Sequence, residues 1–159
     1  MITLYHGSNV SIDTIDLDRC HPDKDFGKGY YLTDIRSQAE TMALRRTRIA
    51  GEGTPTLTSY EFDDGLLRNP DLNIKVFDSP CEEWALFVLA NREASLTGYT
   101  HDYDIVVGPI ADDGVGTQIR RLSRGFITFD AFLEELKYSK VSIQYFFGTK
   151  EAIKYLKKI

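Results

Sequence analysis

The sequence is organised around residues 25–34, which read Asp25-Phe26-Gly27-Lys28-Gly29-Tyr30-Tyr31-Leu32-Thr33-Asp34. Gly27 and Gly29 flank Lys28, so the backbone there can adopt φ > 0 or approach a ligand closely. A Rossmann loop follows a strand and opens a helix, and a P-loop needs Ser or Thr after Gly-Lys, so neither fits this stretch. Taken alone, the stretch is also typical of a glycine turn that leads into a buried strand.

Residues 30–33 are aromatic, apolar and Thr-containing, which predicts a short strand. Alternation along a strand puts Tyr31 and Thr33 on one face and Tyr30 and Leu32 on the other. The face of Tyr31 is the more polar one. We therefore expect the Tyr31 ring to be able to stack on a ligand while its hydroxyl stays in water.

An earlier stretch reads Leu4-Tyr5-His6-Gly7-Ser8. Residues 2–6 are predicted to form a strand, which ends in a turn at residues 7–9. A lone histidine beside an apolar face is usually structural. The Gly7-Ser8 pair that follows His6 favours a functional role, because backbone without a side chain is open to a ligand.

The last predicted strand covers residues 140–149. Its alternation puts the apolar side chains of Val141, Ile143, Tyr145 and Phe147 on one face. Gln144 lies on the other face with Ser142 and Phe146. Gln144 is therefore predicted to point away from the most apolar side of the strand.

Together these three segments resemble the ADP-ribosyltransferases of the histidine–tyrosine–glutamate class, which include diphtheria toxin and the poly(ADP-ribose) polymerases. That family carries a Tyr/Trp-His-Gly-Ser/Thr strand, a Gly-x-Gly-x-Tyr strand and a Glu on a late strand. Here Gln144 stands in the place of the Glu. The resemblance implies one α+β domain over residues 1–159, with a split core of two antiparallel β-sheets, flanking helices and a cleft for NAD between the sheets. Many short strand signals without regular βαβ alternation also favour an α+β fold.

The resemblance also assigns site residues. It implies catalytic roles for His6, Tyr31 and Gln144. The expected cofactor-binding residues are Gly7, Ser8, Arg19, Gly29, Tyr30 and Thr33. For Arg19, a strong cation among acids, a diphosphate contact and a surface ion pair are equally good interpretations.

The function implied is NAD-dependent mono-ADP-ribosyl transfer to a macromolecule, protein or nucleic acid, with release of nicotinamide. A toxin or anti-phage effector inside the cell, with a neutralising antitoxin protein as partner, is implied by analogy. A non-catalytic NAD or ADP-ribose binding module and an NAD glycohydrolase are the alternatives. Gln144 can donate and accept hydrogen bonds but carries no charge, so Gln144→Glu is expected to preserve or raise NAD cleavage.

Composition and residue spacing limit the partners, ligands and cell compartment that we expect. The net charge of −5 argues against a chain-wide nucleic-acid surface. Cys20 and Cys81 stand far apart, which predicts a reducing compartment and no disulfide framework. The three histidines show no zinc-ligand spacing, so no metal is expected. Without a signal peptide in residues 1–10 or an apolar run of membrane-spanning length, we expect a cytoplasmic protein that does not contact the membrane.

Cap signals predict the helices. Ser37 with Glu40 predicts the start of a helix that ends near Ala50. Ser79 predicts the start of a buried helix over residues 80–93. Further helices are expected over residues 115–123, over residues 129–138 with Thr128 as the cap, and over residues 150–158.

Overall fold

The computed structural model describes residues 1–137 and 141–159. In these residues the chain folds into a mixed α+β structure with two β-sheets and six α-helices. The strands are β1 (Ile2–Ser8), β2 (Tyr30–Leu32), β3 (Thr56–Phe62), β4 (Ile74–Val76), β5 (Ile105–Pro109), β6 (Ile143–Phe147) and β7 (Lys157–Lys158). The helices are α1 (Arg36–Ala50), α2 (Glu82–Arg92), α3 (Ala94–Thr97), α4 (Asp113–Ser123), α5 (Phe129–Leu136) and α6 (Lys150–Ile153).

The two sheets differ in strand direction. The first sheet has the order β1-β3-β7, and both of its pairs are antiparallel. The second has the order β2-β6-β5-β4, in which β4 pairs parallel with β5. This pair corrects the expectation of two antiparallel sheets. The connection from β4 to β5 passes through α2 and α3, and such a crossover returns the chain in the same direction.

The sheets meet where Tyr5 of β1 lies beside Thr33, one residue after β2. The Tyr5 N–H donates to the Thr33 carbonyl at 2.8 Å, and the Thr33 N–H donates back to the Tyr5 carbonyl at 3.0 Å. These two hydrogen bonds hold the middle of β1 against the end of β2. His6 and Tyr31 are therefore brought together from segments 25 residues apart.

Apolar clusters cover both faces of the second sheet. On β5, Val106 faces the cluster under α2, α4 and α5, whereas Ile105 and Val107 face the cluster shared with the first sheet. The alternation predicted for residues 30–33 and 140–149 is confirmed for the residues that the structure describes. Tyr31 and Phe146 pack on the helix side, and Tyr30 and Phe147 pack between the sheets.

Two predicted caps are wrong, and the C-terminal helix begins at the predicted residue but is shorter than predicted. Helix α1 begins at Arg36, so Ser37 lies inside it, and the Ile35 N–H is bonded instead by Thr33 Oγ1 at 3.1 Å. Helix α2 is capped by Cys81, whose Sγ accepts from the Trp84 N–H. The chain leaves α6 after Ile153 because its end pairs with β3 as β7. The Thr128 cap of α5 is confirmed, and Tyr138 and Lys140 lie outside the described residues.

Candidate functional site

A cavity of about 670 Å³ opens between β1 with α1 on one side and β2 with β6 on the other. His6, Tyr31 and Gln144, to which the resemblance assigns catalytic roles, all line it. They lie on three strands that are distant in sequence. The volume is within the range of pockets that take small molecules and cofactors.

His6 is held as a neutral hydrogen-bond acceptor. Its Nδ1 donates to the Tyr31 carbonyl at 2.7 Å, and its ring stacks on Tyr30 at 4.2 Å between centroids. The pKa of His6 is lowered to about 4, chiefly by burial; the Tyr31 bond opposes this shift, and the charge of Arg46 contributes to it. With Nδ1 protonated, Nε2 keeps its lone pair and has no partner among the described residues. At neutral pH, His6 Nε2 is therefore a hydrogen-bond acceptor in the wall of the cavity.

Gly7 supplies backbone groups to the same cavity. Consecutive strand residues point their N–H and C=O groups to opposite sides, and both groups of Tyr5 bond to Thr33. The groups of Gly7 therefore point to the same side as those of Tyr5. The Ser59 carbonyl, opposite Tyr5 on β3, bonds to the Ile159 N–H, which agrees with this assignment. Gly7 lines the cavity, so one N–H and one C=O face a ligand there.

Gly7 also allows α1 to approach β1. A Cβ at Gly7 would lie 2.0 Å from the Ala39 carbonyl oxygen and 2.8 Å from the Ala43 nitrogen. Ser8, the next residue, is buried outside the cavity lining, and its Oγ accepts from the Val10 N–H at 3.4 Å. The predicted ligand contact of Ser8 therefore has no geometric support.

Tyr31 lines the cavity with its ring and fixes the preceding turn with its hydroxyl. The hydroxyl donates to the Gly27 carbonyl at 2.6 Å and accepts from the Phe26 N–H at 3.0 Å. Burial raises the pKa of Tyr31 well above its ordinary value. The expectation that this hydroxyl stays in water is thus wrong, because two backbone groups replace the water. The ring packs edge-on against Phe146, 5.3 Å between centroids.

The other predicted residues of this segment divide into two groups. Thr33 lines the cavity, where its Oγ1 donates to Gln38 Oε1 at 2.7 Å. Tyr30 does not line it, because it is buried between the sheets with its hydroxyl against that of Tyr60. Gly29 does not line it either. A Cβ at Gly29 would lie 2.3 Å from the Phe146 ring, so this glycine is needed for packing.

Gln144 belongs to a hydrogen-bonded cluster that sequence reasoning missed. Its Nε2 donates to Asp25 Oδ2 at 2.9 Å, and the Ala111 N–H donates to the same oxygen at 2.9 Å. Asp25 Oδ1 accepts from Arg92 Nε at 2.8 Å. Asp25 and Arg92 also line the cavity. Asp25 is the first residue of the stretch 25–34, but nothing in the sequence pairs it with Arg92, 67 positions away.

The cationic residues of the cavity differ from the predicted one. Arg19 ends an exposed 3₁₀ turn (Leu17–Arg19) outside the lining, which corrects its expected place in the site. Lys24, Arg45 and Arg46 line the cavity instead. Partial burial of its ammonium group lowers the pKa of Lys24, and the positive charges around it, Arg46 first, lower it further despite nearby Asp25. Positive charge therefore concentrates at this part of the cavity.

Within residues 1–137 and 141–159, no group of three or more His, Cys, Asp or Glu side chains is arranged to hold a metal ion. No helix in that part of the chain combines the length and the apolar character needed to cross a bilayer.

Residues 2–158 match the family described as "Protein of unknown function (DUF3990)", and the chain belongs to this family. No curated protein and no solved structure matches the chain.

Proposed function

We propose that the cavity binds NAD and that the protein transfers ADP-ribose from NAD to a macromolecule, releasing nicotinamide. The observation that carries the proposal is the convergence of His6, Tyr31 and Gln144 in one cavity of suitable size. These are the residues that the resemblance to the histidine–tyrosine–glutamate class assigns to catalysis. In this proposal the two sheets, joined at Tyr5 and Thr33, form the split core of that class.

Groups on β1 and β2 suit the nicotinamide riboside part of NAD. The free N–H and C=O of Gly7 match the acceptor and the donor of the nicotinamide carboxamide. The Tyr31 ring offers a flat surface to the pyridine ring. The neutral Nε2 of His6 accepts a hydrogen bond from a ribose hydroxyl, and because His6 stays uncharged it does not oppose the cationic nicotinamide.

The positive charge of the cavity suits the diphosphate. Arg45 and Arg46 of α1 and Lys24 replace Arg19 in this role. Arginine and lysine bind phosphate oxygens through charge-assisted hydrogen bonds. No hydrogen bond or ion pair holds these three side chains within the described residues, so they can turn toward the ligand.

Gln144 would act on the reacting ribose. The bond from ribose C1′ to the pyridine nitrogen breaks, its electron pair leaves with neutral nicotinamide, and the ribose becomes oxocarbenium-like. A nucleophilic group of the target macromolecule then bonds to C1′. Its proton passes to water or to another group of that macromolecule. Gln144 Oε1 accepts from the ribose 2′-hydroxyl and presents partial negative charge to the cation. A missing general base costs roughly 10²- to 10⁴-fold in rate, so slow transfer is expected.

Labelled NAD tests the proposal. The protein is incubated with NAD labelled in the adenylate part, with and without a cell lysate as the source of acceptors, and both free nicotinamide and label on macromolecules are measured. Transfer requires both signals in the presence of lysate and their loss in Tyr31→Ala. Nicotinamide without transferred label would indicate the glycohydrolase alternative and contradict the proposal.

The non-catalytic binding module remains the second candidate because Gln144 carries no charge. In that case NAD or ADP-ribose would bind without nicotinamide release under any condition. A titration of NAD into the same sample distinguishes this outcome from a protein that does not bind NAD.

A further inference from the structure

We infer that Asp25 is a positioning residue that fixes the orientation of the Gln144 amide, so that Oε1 and not Nε2 faces the cavity. The inference deepens the proposed function, on which its kinetic consequences rest. A glutamate presents two equivalent oxygens to a ligand in either orientation. A glutamine presents an acceptor in one orientation and a donor in the other. A site with glutamine at this position therefore needs a group that selects between them.

Asp25 makes that selection because a carboxylate only accepts hydrogen bonds. Its Oδ2 lies 2.9 Å from Gln144 Nε2, and the flipped amide would put two oxygens at this distance. Gln144 is buried, with 8% of its surface exposed, so water cannot relieve such a contact. Oε1 has no partner among the described residues, and no side-chain N or O atom there is both buried and unbonded, so Oε1 reaches the cavity.

Other groups hold Asp25 in place. The Ala111 N–H donates to Oδ2, and Arg92 pairs with Oδ1 at 2.8 Å. The Arg92 guanidinium also donates to the Ala111 carbonyl. It occupies space left by Gly116, where a Cβ would lie 2.1 Å from Nη1. The carboxylate thus cannot turn away from Gln144 without breaking an ion pair and a backbone bond.

The electronic consequence is that Gln144 becomes a polarised but uncharged acceptor. A charged acceptor at Nε2 draws the N–H proton and increases the negative charge on Oε1. Arg92 balances the charge of Asp25, so the cavity receives a stronger dipole and no net negative charge from this cluster. This arrangement favours an oxocarbenium-like transition state over the ground state.

Asp25 also reverses the expected effect of Gln144→Glu. A carboxylate at position 144 would contact the Asp25 carboxylate, and two carboxylates sharing a site cannot both ionise readily. We therefore expect Gln144→Glu alone to lower nicotinamide release. Adding Asp25→Asn supplies an amide donor at position 25 and a carboxylate at position 144. The double variant should release nicotinamide faster than either single variant.

The structural half of the inference is tested without NAD. The chain has three glutamines and one tryptophan, so the side-chain amide of Gln144 can be assigned in an NMR spectrum by its loss in Gln144→Glu. One Nε2 proton should be shifted downfield in the wild type, and Asp25→Asn should abolish the shift. The indole proton of Trp84, which donates to Pro109 at 3.1 Å near Ala111, reports whether the local fold persists.

Asp104→Asn is the matched control, because Asp104 is a half-buried carboxylate bonded to Asn73 N–H and Thr149 outside the cavity. It should leave the Gln144 amide signal unchanged.

The kinetic half of the inference is tested with NAD. Asp25→Asn should slow nicotinamide release at saturating NAD by at least about tenfold and change NAD affinity by less than about threefold.

An unchanged Gln144 amide in Asp25→Asn with an unchanged Trp84 signal would overturn the inference. So would a Gln144→Glu variant that releases nicotinamide faster than the double variant. If the wild type releases no nicotinamide, the proposed function fails, and the amide spectrum alone decides whether Asp25 orients Gln144.

Discussion

The two walls of the cavity are held in different ways. The tied wall consists of Tyr31, Asp25, Arg92 and Gln144, and every one of these side chains is hydrogen-bonded to another part of the chain. The α1 wall carries Met42, Arg45 and Ile49, all exposed, and half-buried Arg46. No hydrogen bond or ion pair fixes either arginine within the described residues.

Under the proposed function, the two walls suit two different roles. Groups that act on a reacting bond must already be in place, since reorganisation during the reaction adds to the barrier. Groups that hold a flexible diphosphate can adjust when it binds. Only the tied wall meets the first requirement, and it depends on contacts between segments far apart in sequence. Variants that disturb one wall and spare the other test this comparison.

The largest effect is expected at Gly7, where the α1 wall rests on β1. In Gly7→Ala the new Cβ would lie 2.0 Å from a backbone oxygen of α1, so the helix itself must move. We expect the free energy of unfolding to fall by about 3 kcal/mol or more, the upper end for overpacking. Urea unfolding measures it.

Gly114→Ala is the matched control for that variant, because its Cβ would meet only Asp112 Oδ1 at 3.4 Å. Its stability should stay within about 1 kcal/mol of the wild type. Similar losses in the two variants would show that α1 is not seated against Gly7.

The next effect is expected in the tied wall. Tyr31→Phe keeps the ring but leaves the Phe26 N–H and the Gly27 carbonyl without their partner. A loss of about 2–3 kcal/mol in the free energy of unfolding is expected, because unsatisfied buried groups are costly. Tyr145→Phe, which removes a half-buried hydroxyl with no hydrogen bond among the described residues, should change stability little. Equal losses would contradict the hydroxyl's role in fixing the turn.

A third prediction concerns pH and His6. The pKa of His6 is about 4 in the folded chain, below the ordinary value of 6.5, so only the unfolded chain takes up this proton between those values. Stability therefore falls as the pH is lowered through this window. Between pH 7 and pH 5 the wild type should lose about 2 kcal/mol more than His6→Asn, which keeps a donor near the Nδ1 position. Parallel pH dependence in the two proteins would contradict a buried neutral imidazole.

The smallest effect is expected on the α1 wall. Arg46→Gln should weaken NAD binding by about tenfold at low salt, and the difference should shrink as salt is added. Arg19→Gln, which changes an exposed arginine outside the cavity, should leave the affinity unchanged. Calorimetric titration of NAD into both variants checks this. A larger effect from Arg19→Gln than from Arg46→Gln would instead favour Arg19 as the diphosphate contact.

Local sequence patterns predicted which face of its strand several site residues occupy. Alternation correctly separated Tyr31 from Tyr30 and Gln144 from Tyr145, because side chains on a strand must alternate. The convergence of His6, Tyr31 and Gln144 was predicted through the resemblance and not through periodicity. The helix signals were less dependable, since α1 begins after Ile35 without a side-chain cap and Cys81 caps α2, in place of the expected serines.

The cluster around Asp25 was beyond local patterns. Arg92 lies on a helix that was predicted only as buried, and Ala111 contributes a backbone group that no side-chain pattern reveals. The edge strand β7 was missed for the same reason, because its backbone pairing with β3 across nearly 100 residues replaces the end of the predicted C-terminal helix.

The central claim is that Gln144 acts on the ribose of NAD. Its most direct test is the rate of nicotinamide release from NAD, with lysate as acceptor, in the wild type and in Gln144→Ala. Gln118→Ala, which changes a half-buried glutamine of α4 outside the cavity, is the control. The account predicts measurable release by the wild type and by Gln118→Ala, and a rate at least about tenfold lower in Gln144→Ala. No release by the wild type, or equal rates in all three proteins, would contradict it.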